Sequence, residues 1–189
     1  MKPELPTFNA AELDRKRALV RSRIRDVPDF PKPGILFRDI TPVLADHEAL
    51  VAAVDLHVAQ IRDLVGGIEK VVGIESRGFL FGMAIAERIG AGFVVVRKPG
   101  KLPAEVHEAS YELEYGTDRL QIHKDGVRAG DRVLIVDDLL ATGGTASAAR
   151  DLAERSGGSV VAALFLIELT ALGGRKRLSN LRVEPVLSF

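Results

Sequence analysis

The chain has 189 residues, with 26 Lys plus Arg balanced by 26 Asp plus Glu, so its formal net charge is zero. That length amounts to one domain, able to bury roughly 70% of its unfolded surface without staples, and the lack of Cys excludes disulfides, thiolate zinc sites and a Cys nucleophile together. Zero net charge gives no global field for nucleic acid or an anionic membrane, and the longest apolar run, Val160–Ile167, is far shorter than the roughly 20 residues a membrane helix needs.

Residues 1–9 include Pro3 and Pro6 and read as a loose tail without the apolar stretch of a signal peptide. The expectation is a cytoplasmic protein with a single domain over residues 10–189. Asn9 with Glu12 has the pattern of a capping box, and Leu13, Val20, Ile24 and Val27 recur on one helical face. Pro28, Pro31, Pro33 and Gly34 then predict a turn or extended segment without regular structure, opening a small hood over about 28–45. Asp46 has the chemistry of an N-cap for a helix through Leu50, Val54, Ile61 and Leu64, ending at Gly66-Gly67.

Short apolar runs and helical stretches alternate from there. Val71–Ile74 reads as a buried strand, followed by a helix from Gly78 to Ile89 that Gly90 closes. Phe93–Val96 is a second buried strand and Val133–Val136 a third, followed by a helix from Gly144 to Ser156. Val160–Leu166 is a fourth. Continuous apolar strands alternating with helices predict an α/β fold, an open and mainly parallel sheet flanked by helices. Between the second and third strands, Tyr111, Leu113 and Tyr115 alternate with Glu112 and Glu114, Gly116-Thr117 marks a turn, and Leu120 and Ile122 alternate again. That pattern predicts an antiparallel hairpin projecting from the sheet, preceded by about ten residues of loop.

Ligands of an open parallel sheet bind beyond the carboxyl ends of its strands. After the first strand stand Glu75, Ser76 and Arg77; after the second, Arg97, Lys98 and Lys101; after the third, Asp137 and Asp138. Next comes Ala141-Thr142-Gly143-Gly144-Thr145 at the start of a helix. Glycines let the backbone wrap a ligand closely, and amides at a helix start bind phosphate, while carboxylates accept hydrogen bonds from vicinal hydroxyls. The residues point to ribose beside a phosphate. Alone, Thr-Gly-Gly-Thr would serve equally as an ordinary strand–helix connection. Both aspartates reach one ligand only if the chain turns at Asp138, since neighbouring strand residues face opposite ways. Other motifs fail: Ile74 replaces the first glycine of a serine elbow, Val51 replaces the second histidine of a zincin helix, no Walker loop occurs, and His47, His57, His107 and His123 lack ligand spacing.

Val133–Thr145 resembles the PRPP-binding motif of type I phosphoribosyltransferases, where PRPP is 5-phosphoribosyl 1-diphosphate. Over roughly residues 10–189 the chain is similar to the adenine phosphoribosyltransferase family. The supporting segments are Phe30–Pro42, Glu75–Gly82, Arg97–Pro103 and Leu113–Gly116. The resemblance implies a type I phosphoribosyltransferase-like fold with a hairpin lid at about 98–123, and a purine salvage reaction in which adenine N9 attacks PRPP to give AMP and diphosphate. It implies Mg2+ carried on the donor's diphosphate and ribose hydroxyls with no protein metal site, a homodimer, and no nucleic-acid or membrane partner. By the family's pattern Ala141, Thr142, Gly143, Gly144 and Thr145 cradle the 5′-phosphate and Asp137 and Asp138 hold the ribose. Glu75, Ser76, Arg77, Arg97, Lys98 and Lys101 meet the diphosphate, with Arg77 and Lys101 supporting catalysis. Phe37 stacks on the base with Leu36 and the backbone of Arg38 at its edge, and a protonated Glu114 donates to N7.

Other readings stay open for single residues: Glu114 as a solvated strand-face acid, Phe37 as core, and Arg38 as a partner of Asp39 or Asp29. Ala141 stands where hypoxanthine–guanine enzymes of the family carry an acid, which favours adenine and leaves a xanthine or other 6-oxopurine enzyme as the alternative. A non-catalytic PRPP-binding regulator is a third reading, for which the first 28 residues hold at most one helix and the basic cluster Arg15, Lys16, Arg17, Arg21, Arg23 and Arg25.

Overall fold

The structure, a computed structural model, describes residues 5–112 and 117–189. Helix α1 (Ala10–Arg23) starts at the expected capping box, in which the Asn9 side chain accepts from the Glu12 amide and the Glu12 carboxylate accepts from the Asn9 amide. It ends earlier than the apolar spacing predicts. Ile24 is an extended cap, and Val27 belongs to strand β1 (Arg25–Pro28), which pairs antiparallel with β2 (Leu36–Asp39). The proline-rich stretch was expected to lack regular structure. Its prolines instead end β1 and occupy the connection, so none interrupts a ladder from both sides. Helices α2 (Thr41–Ala45) and α3 (His47–Gln60) follow. Asp46 caps α3 as expected, by accepting from the Ala49 amide, but the helix stops at Gln60, before the glycine pair.

The main sheet uses β3 (Lys70–Ile74), β4 (Gly92–Arg97), β5 (Val106–Glu112), β6 (Thr117–His123), β7 (Arg132–Leu140), β8 (Ser159–Glu168) and β9 (Arg182–Ser188). Among the described residues its order is β5-β6-β4-β3-β7-β8-β9. The five strands from β4 to β9 run parallel, and β6 and β5 join antiparallel at one edge. Helices α4 (Gly78–Ile89) and α5 (Gly144–Arg155) fall where the sequence puts them. On β7, Leu134 and Val136 enter the core beneath α3 and α4, whereas Val133 and Ile135 enter the core beneath α5. Both faces are covered, so the strand is apolar at every position instead of at alternate ones.

Two expectations need correction here. The segment from Val106 to Ser110, read as loop, is strand paired with β6, and the hairpin is tied to the sheet through Val96↔Ile122 and Arg97↔Gln121. Its polar residues hid the period. The chain also does not turn at Asp138: β7 stays paired with β8 to Leu140. Strand β9 had no sequence assignment. It covers the far side of β8 and aligns Phe165 with Pro185.

Among the described residues no helix is long and apolar enough to cross a membrane. The basic cluster of α1 and β1 is largely compensated internally. Lys16 pairs with Asp55, Arg17 with Asp14, Arg23 with Asp46 and Arg25 with Asp39, while Arg21 donates to the Ser188 carbonyl.

Candidate active site

The sheet order changes direction between β3 and β7. Strand β4 lies on one side of β3 and β7 on the other, so the connections leaving their carboxyl ends diverge and open a crevice. Glu75–Arg77 leaves β3 there, Arg97–Lys101 leaves β4, and Asp137–Thr145 leaves β7. The structure thus brings three separate sequence segments to one edge.

The acids and cations are paired with one another. Arg77 Nε lies 2.8 Å from Asp138 Oδ2, and the Asp138 amide donates to Asp137 Oδ1 at 2.9 Å. The same Asp137 oxygen packs against the start of α4, where a Cβ on Gly78 would stand 2.9 Å away. Burial pushes the Asp137 carboxyl well above the usual range, and the adjacent Asp138 charge adds to the shift. Burial raises Asp138 also, with the Arg77 guanidinium opposing it. A hydroxyl-rich ligand suits such a pair, because it solvates the carboxylates without adding charge.

Glu75 organises the cations. Its Oε2 accepts from the Lys98 amide at 2.7 Å, and its Oε1 pairs with Lys101 Nζ and lies 3.5 Å from Arg97 Nη2. Burial opposes ionisation of Glu75, but the bonds from Lys101 and the Lys98 amide outweigh it and lower the pKa. Lys98 Nζ instead pairs with Asp118 on β6, whose same oxygen lies 3.2 Å from the Tyr111 hydroxyl. That bond to Asp118 raises the Lys98 pKa against the effect of burial, keeping the ammonium charged. Among the described residues, Arg97 Nε is buried without a hydrogen-bond partner. Three cations are therefore held beside two carboxylates at the end of β4, an arrangement that an incoming polyanion can exchange into.

At the end of β7, Gly143 takes φ +81, a left-handed conformation that favours glycine, and caps α5. The first helical amides have no acceptor within the helix and face a recess of about 60 Å³ lined by Leu139–Gly143, Thr145 and Ala146. This recess shares Ala141 and Thr142 with a larger cavity of about 530 Å³, which Ile35, Leu36, Arg38, Leu169, Ala171, Leu172 and Phe189 complete. Ile35, Leu36 and Arg38 thus share a cavity with Ala141 and Thr142 of the recess.

Strand alternation divides the three hood residues. Leu36 and Arg38 line the cavity above Ala141, whereas Phe37 lines a neighbouring one of about 490 Å³ with Phe30, Arg77 and Leu80. The Phe37 ring packs edge-on against Phe30 at 5.0 Å and lies 5.5 Å from the Arg77 guanidinium. Arg38 pairs with Asp26, its register neighbour on β1, and stacks on Phe189 at 4.2 Å; neither Asp39 nor Asp29 is its partner. Asp39 is held by the Thr41 amide and by Arg25, which bring its pKa down to about 2. Ser76 lies in the turn before α4, and Glu114 falls outside the described residues.

A family profile described as the phosphoribosyl transferase domain matches residues 43–183. The adenine phosphoribosyltransferase of Rhodopirellula baltica is 55% identical over 170 residues, covering 90% of this chain and 82% of that protein. The chain belongs to the adenine phosphoribosyltransferase family. The member from Cyanothece sp. is 54% identical over 170 residues, or 90% of this chain and 99% of that one. Among solved members, the Rhodothermus marinus structure has a TM-score of 0.87 at 51% identity, covering 93% of this chain and 99% of that one. The Saccharomyces cerevisiae structure, complexed with D-2,5-dideoxy-2,5-imino-altritol 1,6-bisphosphate and adenine, has a TM-score of 0.88 at 39% identity, covering 92% and 99%.

Sequence reasoning missed Leu169, Ala171 and Leu172 at the larger cavity and Asp118 and Tyr111 around Lys98. The first three follow an unremarked strand end, where the rule of ligands beyond carboxyl ends would have drawn attention to them. No local signal marks Asp118, whose partner is 20 residues away.

Proposed function

We propose that this chain is a purine salvage enzyme, an adenine phosphoribosyltransferase that transfers the 5-phosphoribosyl group of PRPP to N9 of adenine, releasing diphosphate and AMP. The observation that carries the reading is the recess of about 60 Å³ at the start of α5, which shares Ala141 and Thr142 with the cavity lined by Leu36 and Arg38. A nucleoside monophosphate needs such a pair of adjoining sites, a small one for the phosphate and one large enough for a base.

In this reading Ala141–Thr145 hold the 5′-phosphate, and the ribose lies across the carboxyl end of β7, where Asp137 and Asp138 accept from its hydroxyls from the two faces of the strand, so that no turn at Asp138 is needed. Glu75, Ser76, Arg77, Arg97, Lys98 and Lys101 receive the diphosphate, with Arg77 and Lys101 stabilising the charge that develops as its bond to C1′ breaks. Mg2+ arrives as part of the substrate, on the diphosphate and ribose hydroxyls. The donor set fits that role, since Glu75 and Asp138 are already bonded to cations and offer the diphosphate positive charge. The base lies along the edge of the strand that separates the two cavities, where the main chain of Leu36 and Arg38 reads its edge and Phe37, from the neighbouring cavity, stacks on the ring.

Proton balance decides what Glu114 does. Adenine enters with an imidazole proton that AMP lacks, so in the forward direction attack through N9 sends the N7 proton to the Glu114 carboxylate. Donation from protonated Glu114 to N7 belongs to the reverse reaction. Segment 98–123 serves as the lid that keeps water from the electrophilic sugar.

The reading includes a cytoplasmic location and a homodimer, in which exposed Leu80 and Met83 beside the groove between α3 and α4 are covered by a second copy. The deciding experiment incubates the protein with PRPP, Mg2+ and each of adenine, hypoxanthine, guanine and xanthine, following diphosphate release and nucleotide formation. AMP formation with adenine at least a hundredfold above the other bases is expected. Preferential turnover of xanthine would replace the reading with the 6-oxopurine alternative, and PRPP binding without turnover would leave a regulator.

A further inference from the structure

The phosphate loop does not stand alone. Behind it, Leu169 to Gly174 returns from β8 through two short 3-10 turns, with Gly173 in the left-handed region at φ +65. The backbone of Gly174 presses directly on the loop. A Cβ at Gly174 would stand 2.3 Å from the Ala141 carbonyl oxygen and 3.0 Å from the Gly143 nitrogen. Conversely, a Cβ at Gly143 would stand 2.4 Å from the Gly174 carbonyl oxygen. These are main-chain to main-chain approaches, so no rotamer change can relieve an added methyl group. The adjoining Arg175 anchors the turn from both sides: its Nε donates to the buried Glu168 carboxylate at 2.7 Å and its Nη1 to the Val183 carbonyl at 2.9 Å.

We infer that Gly174 is a positioning residue for 5′-phosphate recognition, a backbone template that sets where the Ala141 carbonyl and Gly143 amide lie and hence where the amides opening α5 point. The inference rests on the proposed reading of the loop as the 5′-phosphate site. It follows from chemistry that needs several N–H groups aimed at one phosphate, because hydrogen bonds weaken steeply when their angle and distance are spoiled and a displaced loop spoils them together. The diphosphate cations hang from β3 and β4 and do not touch this turn.

The test compares wild type, Gly174→Ala and Arg175→Gln by isothermal titration with ribose 5-phosphate and separately with inorganic diphosphate plus Mg2+, alongside steady-state kinetics. For Gly174→Ala, ribose 5-phosphate affinity should fall at least tenfold with diphosphate affinity changed less than twofold. KM for PRPP should rise by a larger factor than kcat falls, because the lost contact is remote from the breaking bond. Arg175→Gln adds no bulk, only slackens the turn, and should weaken ribose 5-phosphate three- to tenfold; it carries the test if Gly174→Ala does not fold. Unchanged ribose 5-phosphate affinity in either folded variant, or equal loss of both ligands, overturns the inference. Wild type that binds diphosphate but not ribose 5-phosphate overturns the reading of the loop instead.

Discussion

His57 offers a measurement of how this fold treats a buried imidazole. It lies on α3 with no exposed surface, its Nδ1 is 2.7 Å from the Ala53 carbonyl, and its ring is 5.7 Å from that of Phe81. Burial, only partly offset by backbone hydrogen bonds, lowers its pKa from 6.5 to about 4. In the unfolded chain the imidazole takes up a proton as pH falls through 6.5, while in the folded chain it stays neutral until about pH 4. Stability is therefore fully present above pH 6.5 and is lost as pH falls toward 4. At 1.36 kcal/mol per pKa unit, the loss from this group is about 2 kcal/mol between pH 8 and 5 and about 3 kcal/mol by pH 4. Asp39, lowered to about 2, stays ionised across the window from pH 8 to 5. Asp137 and Asp138 have raised folded pKa values, so they take up protons first in the folded state and act in the opposite sense. The wild-type curve mixes these contributions, and the His57 share is the difference between wild type and His57→Leu. Urea denaturation at pH 8, 6.5, 5.5 and 5 should show the variant losing about 2 kcal/mol less than wild type across the series. Parallel curves would refute the claim that the imidazole is held neutral.

Three further outcomes are expected. Glu114→Gln should lower turnover about a hundredfold or more, the scale of one general acid–base group, while Glu112→Gln changes it less than threefold; equal mild effects remove the proton-transfer role. Lys101→Ala should raise KM for PRPP and inhibition constants for diphosphate about tenfold or more while leaving ribose 5-phosphate binding, measured by titration, within twofold. Phe81→Ala, which removes a fully buried ring from the core between α4 and the sheet, should cost roughly 3–5 kcal/mol in chemical denaturation without changing KM for adenine by more than twofold.

The α/β architecture was legible because buried parallel strands are apolar at every position and their helices carry plain punctuation. Asn9 and Asp46 open helices, Gly90 closes one in the left-handed conformation, and Gly143-Gly144 starts another. The site was legible at its edge for the same reason: chemistry-bearing residues directly follow apolar runs. Less was readable where pairing, not pattern, makes the element. Val106–Ser110 carries His107, Glu108 and Ser110 among its apolar residues, and only its ladder to β6 makes it a strand. Arg25–Pro28 continues the apolar period of α1 through Val27, yet pairing with Leu36–Asp39 takes it out of the helix.

The residue order by itself determined which chemistry-bearing groups follow the carboxyl ends of the strands, since residue type and local turn geometry travel together along a few consecutive positions. It also determined the parallel sheet, through the uninterrupted apolar runs at its centre. Tertiary structure alone decided the partners. Asp118 meets Lys98, Asp138 meets Arg77, and Gly174 comes to rest against Gly143. Each of these contacts joins segments whose separation in sequence carries no periodic trace, because only closing the sheet and covering its faces fixes the distance between them.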